Sequence, residues 1–262
     1  MILTDIVSNR VIALELNEDI SNLRGWSEQV RPRYSYLPTV SEMCSPCPTH
    51  RDVYLLKVEG YRIESNALEN GRLIHEAFLI PFKLALKEVH DIEKYAGIKR
   101  ALLSRIHNSS VRRLASKVYD HASAMALQWL ILGRPLPIAV EPKVRASLVG
   151  LSDTVRPDLV IGITPYEFAS SYWSKKELAV VAYAMAIEAT SLSPVNYGVL
   201  VYPNRNGLKY KVIPTNETLR KKVLDVRDTI ARIVYYEEDP GPANRMNCSK
   251  SCPFWGVCHD RA

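Results

Sequence analysis

Five cysteines constrain this chain of 262 residues more than any other feature, because they fall in two widely separated groups. Cys44 and Cys47 stand near the start, Cys248, Cys252 and Cys258 stand near the end, and none lies between. The tail NCSKSCPFWGVCHD spaces the last three as Cys-x3-Cys-x5-Cys. Thiols this dense seldom sit idle, because the thiolate is both nucleophile and metal ligand. An odd count without a secretion leader argues against a disulfide framework. Three clustered thiolates plus one distant one suit a four-iron, four-sulfur (4Fe-4S) cubane, which takes four soft ligands. Pro253, Phe254, Trp255 and Val257 would shield such a centre from water. The fourth ligand is Cys44 or Cys47. Cys47 is preferred, since Pro48 beside it can orient the backbone, whereas Cys44 reads as a small buried residue. A structural zinc site would use the same thiolates, with His259 or His50 as substitutes. Either centre requires the tail to fold back on the N-terminal region across about two hundred residues, a cross-link worth a few kcal/mol.

The segments between the two groups change character once. Residues 1–36 read as a helical or irregular lead-in, and Trp26, Pro32, Tyr34, Tyr36 and Pro38 as an extended, aromatic strap. A short helix is expected with its start at Ser41 and Glu42, and another over Arg51 to Lys57. Gly71 opens GRLIHEAFLIPFKLALKEVHDI, whose apolar positions 73, 74, 77, 78, 82 and 86 keep helical spacing. One or two long helices follow over 98–132, stopped by Gly133-Arg134-Pro135-Leu136-Pro137. Then IAVEPKVRASLVGL, PDLVIGI, PYEFA and GVLVYP appear as β-branched or aromatic runs bounded by Pro, Gly and Ser. KKELAVVAYAMAIEAT between the last two is a helix, Asn206-Gly207 is a hairpin turn, and residues 216–236 form a last helix. This order predicts an α/β fold: a mixed sheet flanked by helices, with a helical N-terminal region. It divides one domain, 1–262, into an N-terminal region (1–70), a helical region (71–134), a core (135–214) and a helix with cysteine tail (215–262).

Composition is that of an ordinary globular protein, with 47% hydrophobic and 24% charged residues. No apolar run reaches the length of a membrane span. The first twenty residues carry Asp5, Glu15, Glu18 and Asp19 and lack a signal-peptide pattern, so a mature, cytoplasmic protein is expected. The net charge of +6 favours an anionic partner, of which nucleic acid is the commonest. Basic clusters at Arg100–Lys117, Lys175-Lys176, Lys209–Lys211 and Arg220-Lys221-Lys222 are either part of such a surface or solvated helix faces.

Three polar residues stand out from the remainder. Asp158 opens a strand after Arg156-Pro157, and Glu167 sits nine residues on in the next. Carboxylates on adjacent antiparallel strands can face the same way and bind one hard cation such as Mg²⁺ or Mn²⁺. His75, on the early helix, would add an imidazole that favours Mn²⁺. Asp153 is a competing carboxylate.

Together these pieces resemble the CRISPR-associated RecB-like exonuclease family that carries a four-cysteine iron–sulfur cluster, and within it the archaeal type I-A variant branch. The resemblance runs from about Thr39 to Cys258. It is carried by Cys47-Pro48 with Arg51 and Tyr54, Gly71 through His75, Pro157-Asp158, Glu167, Lys176-Glu177 through Tyr183, and the three terminal cysteines. It implies a restriction-endonuclease-like (PD-(D/E)xK) core with a divalent cation on His75, Asp158 and Glu167. It implies trimming of DNA ends, of single strands above all, during capture of new spacers, and partnership with the integrase proteins of that system. It is compatible with an oligomer. Two positions depart from the family pattern: Ala169 stands where a Glu-x-Lys lysine is expected, and Ala179 where a glutamine accompanies Tyr183. Lys175 or Lys176, at the start of the next helix, would have to reach back in place of the missing lysine. A catalytically silent DNA-binding subunit of an adaptation complex is the alternative function, and a zinc-stabilised interaction module a second.

Overall fold

Residues 20–62, 66–204, 207–250 and 252–259 are described by the computed structural model. The expectations for residues 1–19 lie outside them. In chain order the helices are α1 (Val40–Met43), α2 (Arg51–Lys57), α3 (Asn66–Leu86), α4 (Ile92–Ser104) and α5 (Ser109–Ile131). Five strands follow: β1 (Ile138–Val140), β2 (Val144–Arg145), β3 (Thr154–Val155), β4 (Leu159–Ile161) and β5 (Thr164–Phe168). Next come α6 (Lys176–Ser191), β6 (Tyr197–Asn204), β7 (Gly207–Pro214), α7 (Glu217–Tyr235) and a short α8 (Trp255–His259).

Five strands form one mixed sheet in the order β1-β4-β5-β6-β7, and β2 pairs with β3 in a separate ribbon. Among the described residues only the β5–β6 pair is parallel, and α6 supplies the crossover that a parallel pair needs. The sheet is covered on both faces. Tyr166, Phe168, Val199 and Val201 pack with α3 and α5, while Leu200 and Ile213 pack with α6 and α7. That alternation follows the two-residue period of a strand. It directs Glu167, between Tyr166 and Phe168, to the α6 side. Every residue of α6 from Leu178 to Ala189 is buried, as expected of a helix apolar all round.

Local chemistry explains the boundaries that differ from expectation. α1 starts one residue earlier than Ser41, because Thr39 and Glu42 form a reciprocal capping box. α3 begins at Asn66, so Gly71 lies inside the helix, and Pro81 also lies within it without ending it. Asn108 caps α5 by accepting from the backbone of Ser110 and Val111, which breaks the long helical stretch in two. In the β6–β7 hairpin Asn204 pairs with Gly207, so Gly207 is the first residue of β7 rather than a turn residue. Asn206 lies outside the described residues.

Arg220 is not part of a solvated basic face. It is 0% exposed and bonds Glu188, also 0% exposed, through two contacts of 2.7 and 2.8 Å. Arg24 and the backbone N–H groups of Gly25 and Val195 complete the shell of Glu188. The pair binds α6, α7 and the 20–31 strap into one unit. A side chain at Gly25 would collide with the Met185 carbonyl, which shows how closely the strap lies on α6. Among the described residues no helix is long and apolar enough to cross a membrane.

Candidate functional site

The β4–β5 register pairs Leu159 with Tyr166, so Asp158, one residue before β4, stands opposite Glu167 on the neighbouring strand. Opposite residues of an antiparallel pair share a face. Both carboxylates are buried, Asp158 to 5% exposure and Glu167 to 6%. His75, from α3, contacts Asp158 Oδ1 through Nε2 at 2.6 Å. Asp158 Oδ2 accepts the Phe168 N–H, also at 2.6 Å. The Phe168 ring stacks on Phe78 with centroids 4.7 Å apart, which ties β5 to the helix that carries His75. Lys176 Nζ donates to Glu167 Oε1 at 3.1 Å, and Tyr183 hydrogen-bonds the same carboxylate from about two turns further along α6.

The electrostatics follow from crowding two carboxylates in a poorly solvated place. Burial, reinforced by Asp158, raises the Glu167 carboxyl to about 7 against the pull of Lys176 and His75. Burial and the Glu167 charge push the Tyr183 phenol far above its ordinary value. Burial pulls the His75 imidazole down, yet its bond to Asp158 outweighs that and leaves it raised. The Lys176 ammonium is likewise raised: burial lowers it, and Glu167 more than compensates.

The position two residues after Glu167 is Ala169, buried in the core with its N–H on the Val201 carbonyl. Its short side chain contributes no charge. Lys176 brings an ammonium to the same carboxylate from the start of α6. Its neighbour Lys175 turns away and donates to the Cys47 carbonyl at 2.7 Å. Of the two lysines that the sequence leaves open, Lys176 is the one at Glu167. Ala179 is 1% exposed and packed in the core beneath the site. Asp153 lies exposed in the β2–β3 connection, where its backbone carbonyl accepts from Ala146.

The second constellation is a cavity of about 550 Å³ lined by Cys47, Cys248, Cys252 and Cys258, with Trp173 and Phe254 among its walls. All four thiols are free and partly exposed. Burial raises the Cys248 thiol, and Cys47 and Cys258 raise it further. Burial raises Cys252 as well, against a backbone hydrogen bond at Phe254, with Cys47 and Cys258 again adding to the rise. Cys44 does not line this cavity. It is 3% exposed and lies towards the carboxylates, its thiol pushed up to about 12 by burial and offset in part by Lys176.

Polar pairs that the sequence does not announce bring the tail to Cys47. Arg51 holds Asp239 through a two-pronged contact of 2.7 and 2.8 Å, and Thr49 Oγ1 donates to the Gly241 carbonyl at 3.0 Å. Ser45 Oγ accepts the Cys47 N–H and bonds Asp52, which fixes the loop before α2. His50 Nδ1 and His259 Nε2 are buried beside this region and have no hydrogen-bond partner among the described residues.

Among the described residues no three His, Cys, Asp or Glu side chains are gathered tightly enough to hold a single metal ion. At the carboxylates, His75 Nε2 meets Asp158 Oδ1, the Phe168 N–H bonds Asp158 Oδ2, and Lys176 bonds Glu167 Oε1.

A family model described as "CRISPR-associated exonuclease Csa1" matches residues 10–261 of the chain. A curated relative of that name from Saccharolobus solfataricus is 29% identical, with 97% of each chain covered. Another of the same name, from Thermoproteus tenax, is 27% identical, with 90% of each covered.

Proposed function

The chain belongs to the CRISPR-associated exonuclease Csa1 family, and from that premise we propose that it is a metal-dependent DNA exonuclease of CRISPR spacer acquisition, built on a PD-(D/E)xK site. The observation that carries the proposal is the meeting of His75, Asp158, Glu167 and Lys176 at the end of the β4–β5 pair. Asp158 and Glu167 supply hard oxygen donors and His75 an imidazole, a set suited to Mn²⁺ or Mg²⁺. The register that sets Asp158 opposite Glu167 on one face supports that fit, because two carboxylates side by side can share one cation. When bound, the cation would polarise the scissile phosphate and lower the pKa of an attacking water. Lys176 would place a positive charge beside the hydroxide that attacks the phosphate, in the role of the lysine absent at 169. Tyr183 steadies Glu167 from below. His75 has the most solvent-open side chain of the set, at 32% exposure against 20% for Lys176, so DNA would approach from its side.

The same reading assigns a 4Fe-4S cluster to Cys47, Cys248, Cys252 and Cys258. The donors suit such a centre: four free thiols line one cavity, and a four-iron cubane takes four soft thiolate ligands. The cluster's role would be structural. The substrate would be single-stranded DNA ends and the partners the integrase proteins of the same system.

The test is release of short products from end-labelled single-stranded DNA with Mn²⁺ under anaerobic conditions. Asp158→Ala and Glu167→Ala should each reduce the rate by at least about 100-fold. Wild-type protein that holds its fold, binds DNA and cuts nothing with either Mn²⁺ or Mg²⁺ would favour a silent DNA-binding subunit, the reading that Ala169 and Ala179 keep in view.

A further inference from the structure

One short segment touches both constellations. Lys175 Nζ donates to the Cys47 carbonyl at 2.7 Å, and its neighbour Lys176 donates to Glu167 at 3.1 Å. Two residues before Lys175, Trp173 Nε1 donates to the Cys44 carbonyl at 3.1 Å. The Trp173 ring also lies 5.1 Å from the Lys176 ammonium, within reach of a cation–π contact. Both anchors therefore end on backbone carbonyls of the loop that carries Cys47, so they report the loop's conformation rather than a side-chain rotamer. Lys175 occupies the cap position of α6 without capping it, because an ammonium has no acceptor for the free N–H groups there. Its ammonium is partly buried, and burial lowers it, so losing the carbonyl would leave a costly unpaired charge.

We propose that Lys175 and Trp173 are positioning residues: they pin the start of α6 to the Cys44–Cys47 loop and so hold the Lys176 ammonium at Glu167. This rests on the reading of Glu167 and Lys176 as parts of a nuclease centre. It gives the cysteine centre a route to the carboxylates. A loop loosened by loss of what Cys47 holds would displace Lys176 through these two side chains, with His75, Asp158 and Glu167 unaltered. Positioning errors of about 1 Å near reacting groups can cost on the order of 100-fold in rate.

Lys175→Met keeps the aliphatic stem and removes the ammonium. Trp173→Phe keeps a ring near Lys176 and removes the N–H. Two readouts apply to the full chain. One is the rate at which Lys176 is acetylated by limiting acetic anhydride, followed by peptide mass spectrometry. The other is kcat and KM on end-labelled DNA. Iron and sulfide content is measured alongside. Each variant should label Lys176 several-fold faster and lose about 10- to 100-fold in kcat with KM nearly unchanged. Lys175→Arg should restore both, and iron content should match the wild type throughout. Unchanged labelling in both variants overturns the proposal, whatever happens to kcat. Iron lost in step with faster labelling also overturns it, since Lys175 would then support the cysteine loop alone. If Lys175→Met fails to fold, Trp173→Phe decides. If wild-type protein cuts no DNA, the nuclease reading fails by itself, and the labelling arm still decides whether the two residues position Lys176.

Discussion

Glu167 couples the stability of the protein to pH, with a sign opposite to that of a salt-bridged surface carboxylate. Its ordinary value is 4.5 and its folded value about 7, so between these the folded state keeps a proton that the unfolded chain has released. Stability therefore falls as pH rises through that window, by on the order of 3 kcal/mol if no cation is present. His75, raised by Asp158, adds to the trend: its contribution is full below its unfolded value and lost as pH rises through the folded one. Denaturant unfolding with chelator at pH 5 and pH 8 measures this. Glu167→Gln should lose clearly less stability between the two than wild type, and equal losses would contradict the assignment. At the same scale, Lys176→Met should lower nuclease kcat by about 100- to 1000-fold while DNA still binds. An effect confined to KM would reduce Lys176 to a DNA contact. That Asp158 and Glu167 stand face to face was legible in the sequence, because alternation on adjacent antiparallel strands already places them on one side. The choice between Lys175 and Lys176 was not legible. The two are adjacent at a helix start, where periodicity does not say which turns towards the sheet.

At the scale of elements, α6 organises the molecule. It crosses between the parallel strands β5 and β6, carries Lys176 and Tyr183 to Glu167, and is buried all round. Its far end is fixed by Glu188, whose partners come from the strap, from α7 and from the loop before β6. Glu188→Ala should cost about 3–5 kcal/mol, because Arg220 would remain as a buried, uncompensated charge. A loss below about 1 kcal/mol in denaturant unfolding would show that water or another group rescues Arg220. The reverse error, too much volume, is expected at the position where a glutamine accompanies Tyr183 in the family pattern. Ala179→Gln should destabilise by about 1–3 kcal/mol, since the site is closed and already packed. Strands, crossover and hairpin were legible from β-branched runs and turn residues. The β2–β3 ribbon was not legible: β1 and β2 share one β-branched run, and β3 lies beyond that run, after the 3-10 turn at Ser147–Val149. Arg220 misled because a basic triplet on an amphipathic helix normally faces water, and only a partner on another helix reveals that it does not.

For the whole molecule, the chain closes on itself through its tail. Arg51–Asp239 and Thr49–Gly241 join segments about 190 residues apart and bring Cys248, Cys252 and Cys258 to Cys47. The closure was legible from cysteine spacing, since three thiols with one distant partner imply a return of the tail. The polar pairs that accompany it were not, because nothing in the local sequence of Arg51 or Asp239 points across so great a separation. Cys252→Ala should lower the thermal midpoint and bleach the protein, and full colour in that variant would remove it from the ligand set. The most direct test is the metal content of protein purified without oxygen. The closure described here predicts about four irons and four sulfides per chain, with broad absorbance near ~400 nm. A colourless protein that carries about one zinc, or no metal at all, would contradict it.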